Sequence, residues 1–347
     1  MILSTMRTVF NLIYPRLSFL TRPLYGGAGL ILMFHRVCPA SKTARIQANA
    51  GMEITPEHLE AIIQFFTERH YEFISMDQMV EYLHTDRWPQ KFVVVTFDDG
   101  YVDNITHAYP IFKKHRIPFT LYVTTGFPDA HAILWWYLLE DLLLRQEFLM
   151  INDGFTQKEF FCPTMAQKEA AFYCIRTMIM NAPTIEAYMM TVAALFSVYG
   201  MDLFKKTKKL AAKWKQIEEI SRDPLVTIGA HTVNHFSLSK LSPTLARNEI
   251  IKSQQIIQSH IQKEVYHFAY PFGGKEEAGP REFALVKECG FKTAVTTRFA
   301  AIFKEHKDHL ESLPRFFIHP GADESFLNTL LDGTAAGFAN KFKRIVT

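Results

Sequence analysis

Two short strings hold the residues most able to do chemistry. Asp98 and Asp99 end the apolar run Phe92 to Phe97, and His231 and His235 follow a second run in Ile228-Gly229-Ala230-His231-Thr232-Val233-Asn234-His235. One carboxylate and two imidazoles make a three-ligand set that leaves a divalent cation an open position for water, and the second carboxylate is left over as a base. That is the outline of a hydrolase. Two adjacent carboxylates resist ionising together unless a cation neutralises one. Neighbours on a strand point to opposite faces, but the turn into Gly100 can bring both towards one site. His231 and His235 share a face if a helical turn begins at His231. Alone, Asp-Asp-Gly is ordinary turn chemistry, and a histidine pair in a chain with 14 histidines is a coincidence or a capping arrangement. What raises both is that each ends a strand run in an alternating pattern, where barrel enzymes place catalytic groups.

A third string, Phe268-Ala269-Tyr270-Pro271-Phe272-Gly273-Gly274, ends another strand run. Pro fixes the turn, paired Gly lets backbone approach a ligand, and backbone N–H groups here could face a developing oxyanion. The plainer reading is a strand-to-loop turn.

The elements that must position these residues are legible as alternation of apolar runs with helical patterns, which predicts parallel βαβ construction. Candidate strands are Leu30 to Phe34, Phe92 to Phe97, Phe119 to Thr124, Leu225 to Ala230, His267 to Tyr270, Thr293 to Thr296 and Arg315 to Ile318. Thr55-Pro56 opens a helix running towards Arg69, and Ser242-Pro243 opens one reaching about Gln262, each with a capping hydroxyl and Pro at the first helical position. The spacing breaks once, between Phe127 and Leu225. A structureless loop that long is implausible in a compact domain, so it reads as a mostly helical insertion forming a lid or acceptor-binding wall. Its basic run Lys205 to Lys209 reads as a solvated helix face. The organisation expected is a basic amphipathic segment over 1–29, a barrel over 30–320 interrupted by 127–225, and a C-terminal helix over 321–347.

Composition is that of an ordinary globule, 48% hydrophobic and 21% charged with a formal charge of +3. The basic excess is local: Arg7, Arg16, Arg22, Arg36, Lys42 and Arg45 precede the first acid, Glu53. Nucleic-acid binding has no motif behind it and is not expected. The apolar stretches Val9 to Tyr14 and Leu17 to Leu20 are interrupted too soon to span a bilayer, and they lack the order of a secretory signal. They fit either an anionic membrane surface or a helix packed on the body. Cys38, Cys162, Cys174 and Cys289 form no C-x-x-C pair and read as reduced core residues of a cytoplasmic protein, peripheral at most to the inner face of the membrane.

Thr96-Phe97-Asp98-Asp99-Gly100-Tyr101, then His231-x-x-x-His235, then Tyr270-Pro271-Phe272-Gly273 resembles the polysaccharide deacetylase family with the NodB-homology fold, nearest its poly-N-acetylglucosamine deacetylase branch. The resemblance implies an α/β fold, a distorted (β/α)7-8 barrel. It implies that Asp99, His231 and His235 bind a divalent metal, with Zn²⁺ the leading choice and Co²⁺, Ni²⁺ or Fe²⁺ as alternatives. Asp98 is then the general base for water attacking an acetamide, and Tyr101, Tyr270, Pro271, Phe272 and Gly273 contact substrate. The substrate implied is an N-acetylated glycan or a lipid-linked sugar, with deformylation or another amide hydrolysis as the alternative reaction and a silent carbohydrate-binding barrel as the alternative class. Many members carry an Arg before the Pro of the third motif, where this chain has Ala269 and Tyr270. Arg315 is the candidate replacement, since its strand ends near the same site and Arg can fork a carboxylate; the alternative is a surface Arg. For the general acid there are two candidates, His35 and, in reserve, His319.

Overall fold

The computed structural model describes residues 18–85, 91–152, 157–182 and 184–347. The run Val9 to Tyr14 and the basic residues Arg7 and Arg16 lie outside them.

All seven expected strands form: β1 (Gly29–Phe34), β2 (Phe92–Phe97), β3 (Phe119–Val123), β4 (Val226–Ala230), β5 (His267–Ala269), β6 (Thr293–Val295) and β7 (Phe316–Phe317). They pair in parallel in the order β6-β5-β4-β3-β2-β1-β7, with a short extra strand, Glu72–Phe73, on β2. The sheet curls until its ends meet, where Thr296 and Leu313 continue the ladder through N–H donation from Thr296 to the Leu313 carbonyl at 2.8 Å. The fold is an α/β distorted barrel.

Strands buried on both faces read as continuous apolar runs, and β1 and β2 are buried at every position. Leu30, Leu32, Phe34, Val93, Val95 and Phe97 face the helix layer, while Ile31, Val94, Tyr122, Ala269 and Val295 fill the barrel. Two glycines make that filling possible. A Cβ at Gly229 would sit 2.4 Å from the Tyr122 ring, and one at Gly29 would sit 2.4 Å from Phe92.

Helix α1 (Pro56–Glu68) begins as expected, with Thr55 accepting from the His58 N–H. The segment between β3 and β4 is indeed mostly helical, its largest helices being α2 (Trp135–Arg145), α3 (Met165–Met180) and α4 (Ile185–Ser197). It also holds an antiparallel hairpin, Phe148–Asn152 with Gln157–Phe161, which the helical reading missed. Leu149 and Ile151 of that hairpin join Leu139, Phe172, Ile175 and Phe196 in a core belonging to the insertion. In the basic run, Lys206 pairs with Asp141 at 2.8 Å and Lys208 points to solvent. Helix α5 (Pro243–Ile261) has Ser242 as its cap. The C-terminal stretch is two helices, α6 (Glu324–Leu331) and α7 (Thr334–Ala339), instead of one, because Gly333 between them takes φ +72°. No helix among the described residues is long and apolar enough to cross a membrane. All four cysteines are free; Cys162 and Cys289 are buried, but Cys174, expected in the core, lies on the exposed side of α3.

One buried histidine outside the site carries a stability prediction. His306 accepts the Phe303 N–H at 2.9 Å through Nδ1 and stacks on the Phe303 ring. Burial lowers its pKa from 6.5 to about 4. Between those values the unfolded chain binds a proton that the fold refuses, so stability is full above the upper one and falls with acidification by roughly 1.4 kcal/mol per pH unit. His306→Asn keeps an acceptor for Phe303 without the proton uptake. Denaturant midpoints should therefore fall more steeply on acidification in the wild type than in the variant; parallel profiles would contradict this.

Candidate active site

The three strings meet at the C-terminal ends of β2, β4 and β5. Asp98 continues β2, donating its N–H to the Phe34 carbonyl at 3.1 Å, and Asp99 then turns with φ +72°, as does Gly100. His231 continues β4 with its N–H on the Val123 carbonyl. The histidines converge, but not through a helical turn: Thr232 and His235 take φ +63° and +59°, and the Thr232 hydroxyl accepts the His235 N–H at 3.0 Å. Phe272, after β5, has φ +61°. Four side-chain-bearing residues in left-handed backbone, each costing of order 1–3 kcal/mol, thus gather in one place, as strained backbone does at functional sites.

Asp99, His231 and His235 each offer a ligand atom within 4.8 Å of the others, all three buried. The Asp99 Oδ1 lies 3.2 Å from His235 Nε2 and 3.5 Å from His231 Nε2, and it is a buried oxygen without a hydrogen-bond partner. A cation would satisfy that orphaned acceptor, and one carboxylate with two imidazoles suits Zn²⁺ and its neighbours. The other nitrogen of His231 is bound to the Ala269 carbonyl at 2.7 Å, which directs Nε2 at the site. Burial pushes the Asp99 carboxyl up, yet His235 and His231 beside it hold it well below the usual range.

Arg315 is not on the surface: its side chain has no exposure, and it forks Asp98 with Nη1 on Oδ1 and Nη2 on Oδ2, both at 2.7 Å. The guanidinium is itself fixed by donating to the Thr296 carbonyl at 2.9 Å and to the Thr96 hydroxyl at 3.2 Å. Burial works to raise Asp98, but Arg315 outweighs it and keeps the carboxylate ionised.

A cavity of about 650 Å³ opens over these groups. Met33, His35, Asp98, Asp99, Tyr101, His231, His235 and Phe272 form its floor, and the insertion raises a wall of Trp135, Trp136, Tyr137, Phe172, Tyr173 and Arg176. His35 is half-buried there, and its desolvation lowers its pKa against the opposing pull of Asp99 and Asp98. His319 is not among the lining residues: it packs on Phe326 and accepts the Gly321 N–H. Nor is Tyr270, expected to touch substrate. Strand alternation turns Ala269 into the barrel and Tyr270 out of it, where its ring meets Phe268 and Phe283 and its hydroxyl donates to the Glu311 carbonyl at 2.8 Å. Pro271 and Gly273 shape the turn instead of lining the cavity; Gly273 donates to the Pro271 carbonyl at 2.7 Å and accepts from the Thr297 N–H.

Sequence reasoning missed two supports. Glu249, on α5, accepts the Val233 and Asn234 N–H groups at 3.0 and 2.9 Å and the Asn234 amide at 2.6 Å, clamping the loop between the histidines. Its signal was an acid among the inward positions Ala246, Ile250 and Ser253. The second is a chain of charges that ties the insertion to the barrel. Arg36 pairs with Asp103 and Glu53, both at 2.7 Å, and Arg45 bridges Glu53 at 2.6 Å to Glu140 of α2 at 2.7 Å.

Comparison with known proteins now decides the family. The family model described as "Polysaccharide deacetylase" matches residues 85–157 and 162–294, more than half of the chain. The chain belongs to the polysaccharide deacetylase family. Among curated members, the YxkH protein of Bacillus subtilis is 29% identical over 94 residues, 27% of this chain and 30% of that one. The poly-beta-1,6-N-acetyl-D-glucosamine N-deacetylase of Staphylococcus aureus is 27% identical over 73 residues, 21% of this chain and 25% of that one. The match therefore spans less than a third of either relative. Two solved structures of like fold are the Streptococcus pyogenes deacetylase PplD and IcaB from Ammonifex degensii. PplD superposes with a TM-score of 0.58 at 20% identity, over 87% of this chain and 97% of its own. IcaB gives 0.55 at 17%, over 89% and 98%.

Proposed function

We propose that this chain hydrolyses the N-acetyl amide of amino sugars in a glycan, with a divalent cation, Zn²⁺ by preference, held by Asp99, His231 and His235. The observation that carries the reading is the pairing of that three-donor set with Asp98, a buried carboxylate kept ionised by Arg315, in a cavity walled by aromatic rings.

When bound, the cation supplies Lewis acidity towards a water and the acyl oxygen. Asp98 accepts the proton of the attacking water, and Arg315 fixes both its charge and its direction. The Phe272 N–H is the backbone donor we assign to the tetrahedral oxyanion. His35 delivers a proton to the departing nitrogen as the C–N bond breaks, giving acetate and a free amine. Because desolvation favours neutral His35, the proton it delivers is the one drawn from water and passed on by Asp98. The flat walls of Trp136, Tyr137 and Tyr173 suit the apolar faces of sugar rings.

The named activity of the Staphylococcus relative makes β-1,6-linked N-acetylglucosamine the first substrate to try. Zinc-loaded protein should release acetate and an equal amount of free amine from oligomers of that sugar. Full zinc loading without acetate from any N-acetylated glycan would return the barrel to the carbohydrate-binding class.

A further inference from the structure

Five large apolar side chains stand in solvent where the two ends of the described chain meet. Residues 18–25 are helical and expose Phe19, Leu20 and Leu24, the first by 80%. Phe338 of α7 and Phe342 just beyond it are each about half exposed, at 53% and 54%. The two segments that carry them are in contact. The Thr21 and Thr334 hydroxyls are 2.9 Å apart, the Tyr25 hydroxyl donates to the Phe342 carbonyl at 2.7 Å, and the Tyr25 ring meets Phe342 edge-on. Gly333 is what lets the segments touch, since a Cβ there would fall 2.3 Å from the Tyr25 backbone.

The charges on this surface have one sign. Arg22, Lys341 and Lys343 are exposed on the same segments, and Lys91 lies close enough to Arg22 to feel its charge. Neither 18–28 nor 333–347 contains an Asp or Glu. The carboxylates these segments meet are already engaged: Glu305 pairs with Arg344 at 2.7 Å, and Asp332 is buried, accepting the Thr334 N–H at 2.9 Å. Apolar side chains flanked by cations, with no free acid on these two segments among the described residues, complement a surface that is apolar beneath and anionic above. A second copy fits worse, because an isologous contact would set Arg22, Lys341 and Lys343 against their own like charges.

We propose that this face docks the protein on an anionic lipid bilayer, with Phe19, Leu20, Leu24, Phe338 and Phe342 entering the headgroup boundary and the cations meeting lipid phosphates. Residues 18–25 lead into the start of β1, whereas His35 follows its end, so the cavity lies about 20 Å further along the barrel and opens away from the lipid. Docking needs no substrate, so it stands or falls apart from the deacetylase reading.

The test is co-sedimentation of the full chain with vesicles of equal parts phosphatidylcholine and phosphatidylglycerol, and with phosphatidylcholine alone. Wild-type protein should bind the mixed vesicles and bind the neutral ones less. Phe338→Ser with Phe342→Ser, and separately Lys341→Glu with Lys343→Glu, should each lower partitioning about tenfold or more, with thermal unfolding and any acetate release from soluble oligosaccharide unchanged. The lysine pair decides alone if the phenylalanine pair fails to fold, since both lysines are exposed. Wild-type protein that ignores the mixed vesicles, or lysine variants that bind them as well as wild type, would overturn the proposal. So would a wild-type dimer that the phenylalanine variant splits, which would assign the face to a second copy.

Discussion

Asp98→Asn should lower turnover by about 10²–10⁴-fold, the span that a positioned general base contributes. The amide keeps the shape of the carboxylate and one acceptor for Arg315, but it cannot take a proton from water. Bound metal should be unchanged, because Asp98 lies outside the Asp99, His231 and His235 set. Turnover within a few-fold of wild type, with metal content equal, would remove Asp98 from the reaction.

Arg315→Met should cost the fold more than any other single change at the site. It removes the guanidinium from a carboxylate buried on all sides, and breaking one partner of a buried pair costs about 3–5 kcal/mol. The pH dependence follows with a definite sign. In the wild type Arg315 holds the Asp98 carboxyl below its ordinary value despite burial, so the pair's contribution is present above the carboxylate range and is lost as pH falls through it. In the variant burial is opposed only by the weaker pull of His231 and His35, the carboxyl shifts upward, and both stability and the acidic limb of the activity profile should move to higher pH. Urea unfolding at two pH values checks the first, and a pH–rate profile checks the second. A midpoint equal to wild type would mean that Asp98 is not charged in the fold.

The strands and caps were legible because each is a local property. Continuous apolar runs such as Phe92 to Phe97 name a strand buried on both faces, and Thr55-Pro56 and Ser242-Pro243 name a helix start. The candidate site was legible because its groups sit at strand ends, and the expectation that Arg315 lies near Asp98 used the same logic across 217 positions. Tyr270 failed for a reason equally local: the string was read as a unit, while the two-residue period puts Ala269 and Tyr270 on opposite faces. The hairpin from Phe148 was hidden because its outward positions, Phe148, Met150 and Phe161, are apolar too and leave no alternation to read. Glu249 and the Arg36–Glu53–Arg45–Glu140 chain act between distant segments, and nothing in their neighbours' identities announces the partner.

Everything about the chemistry rests on three side chains sharing one cation. Zinc-edge anomalous scattering from crystals of the full chain grown with Zn²⁺ tests this most directly. A single strong peak among Asp99 Oδ1, His231 Nε2 and His235 Nε2 is the expected result. An empty map there at full zinc loading, or zinc bound by other residues, would contradict it.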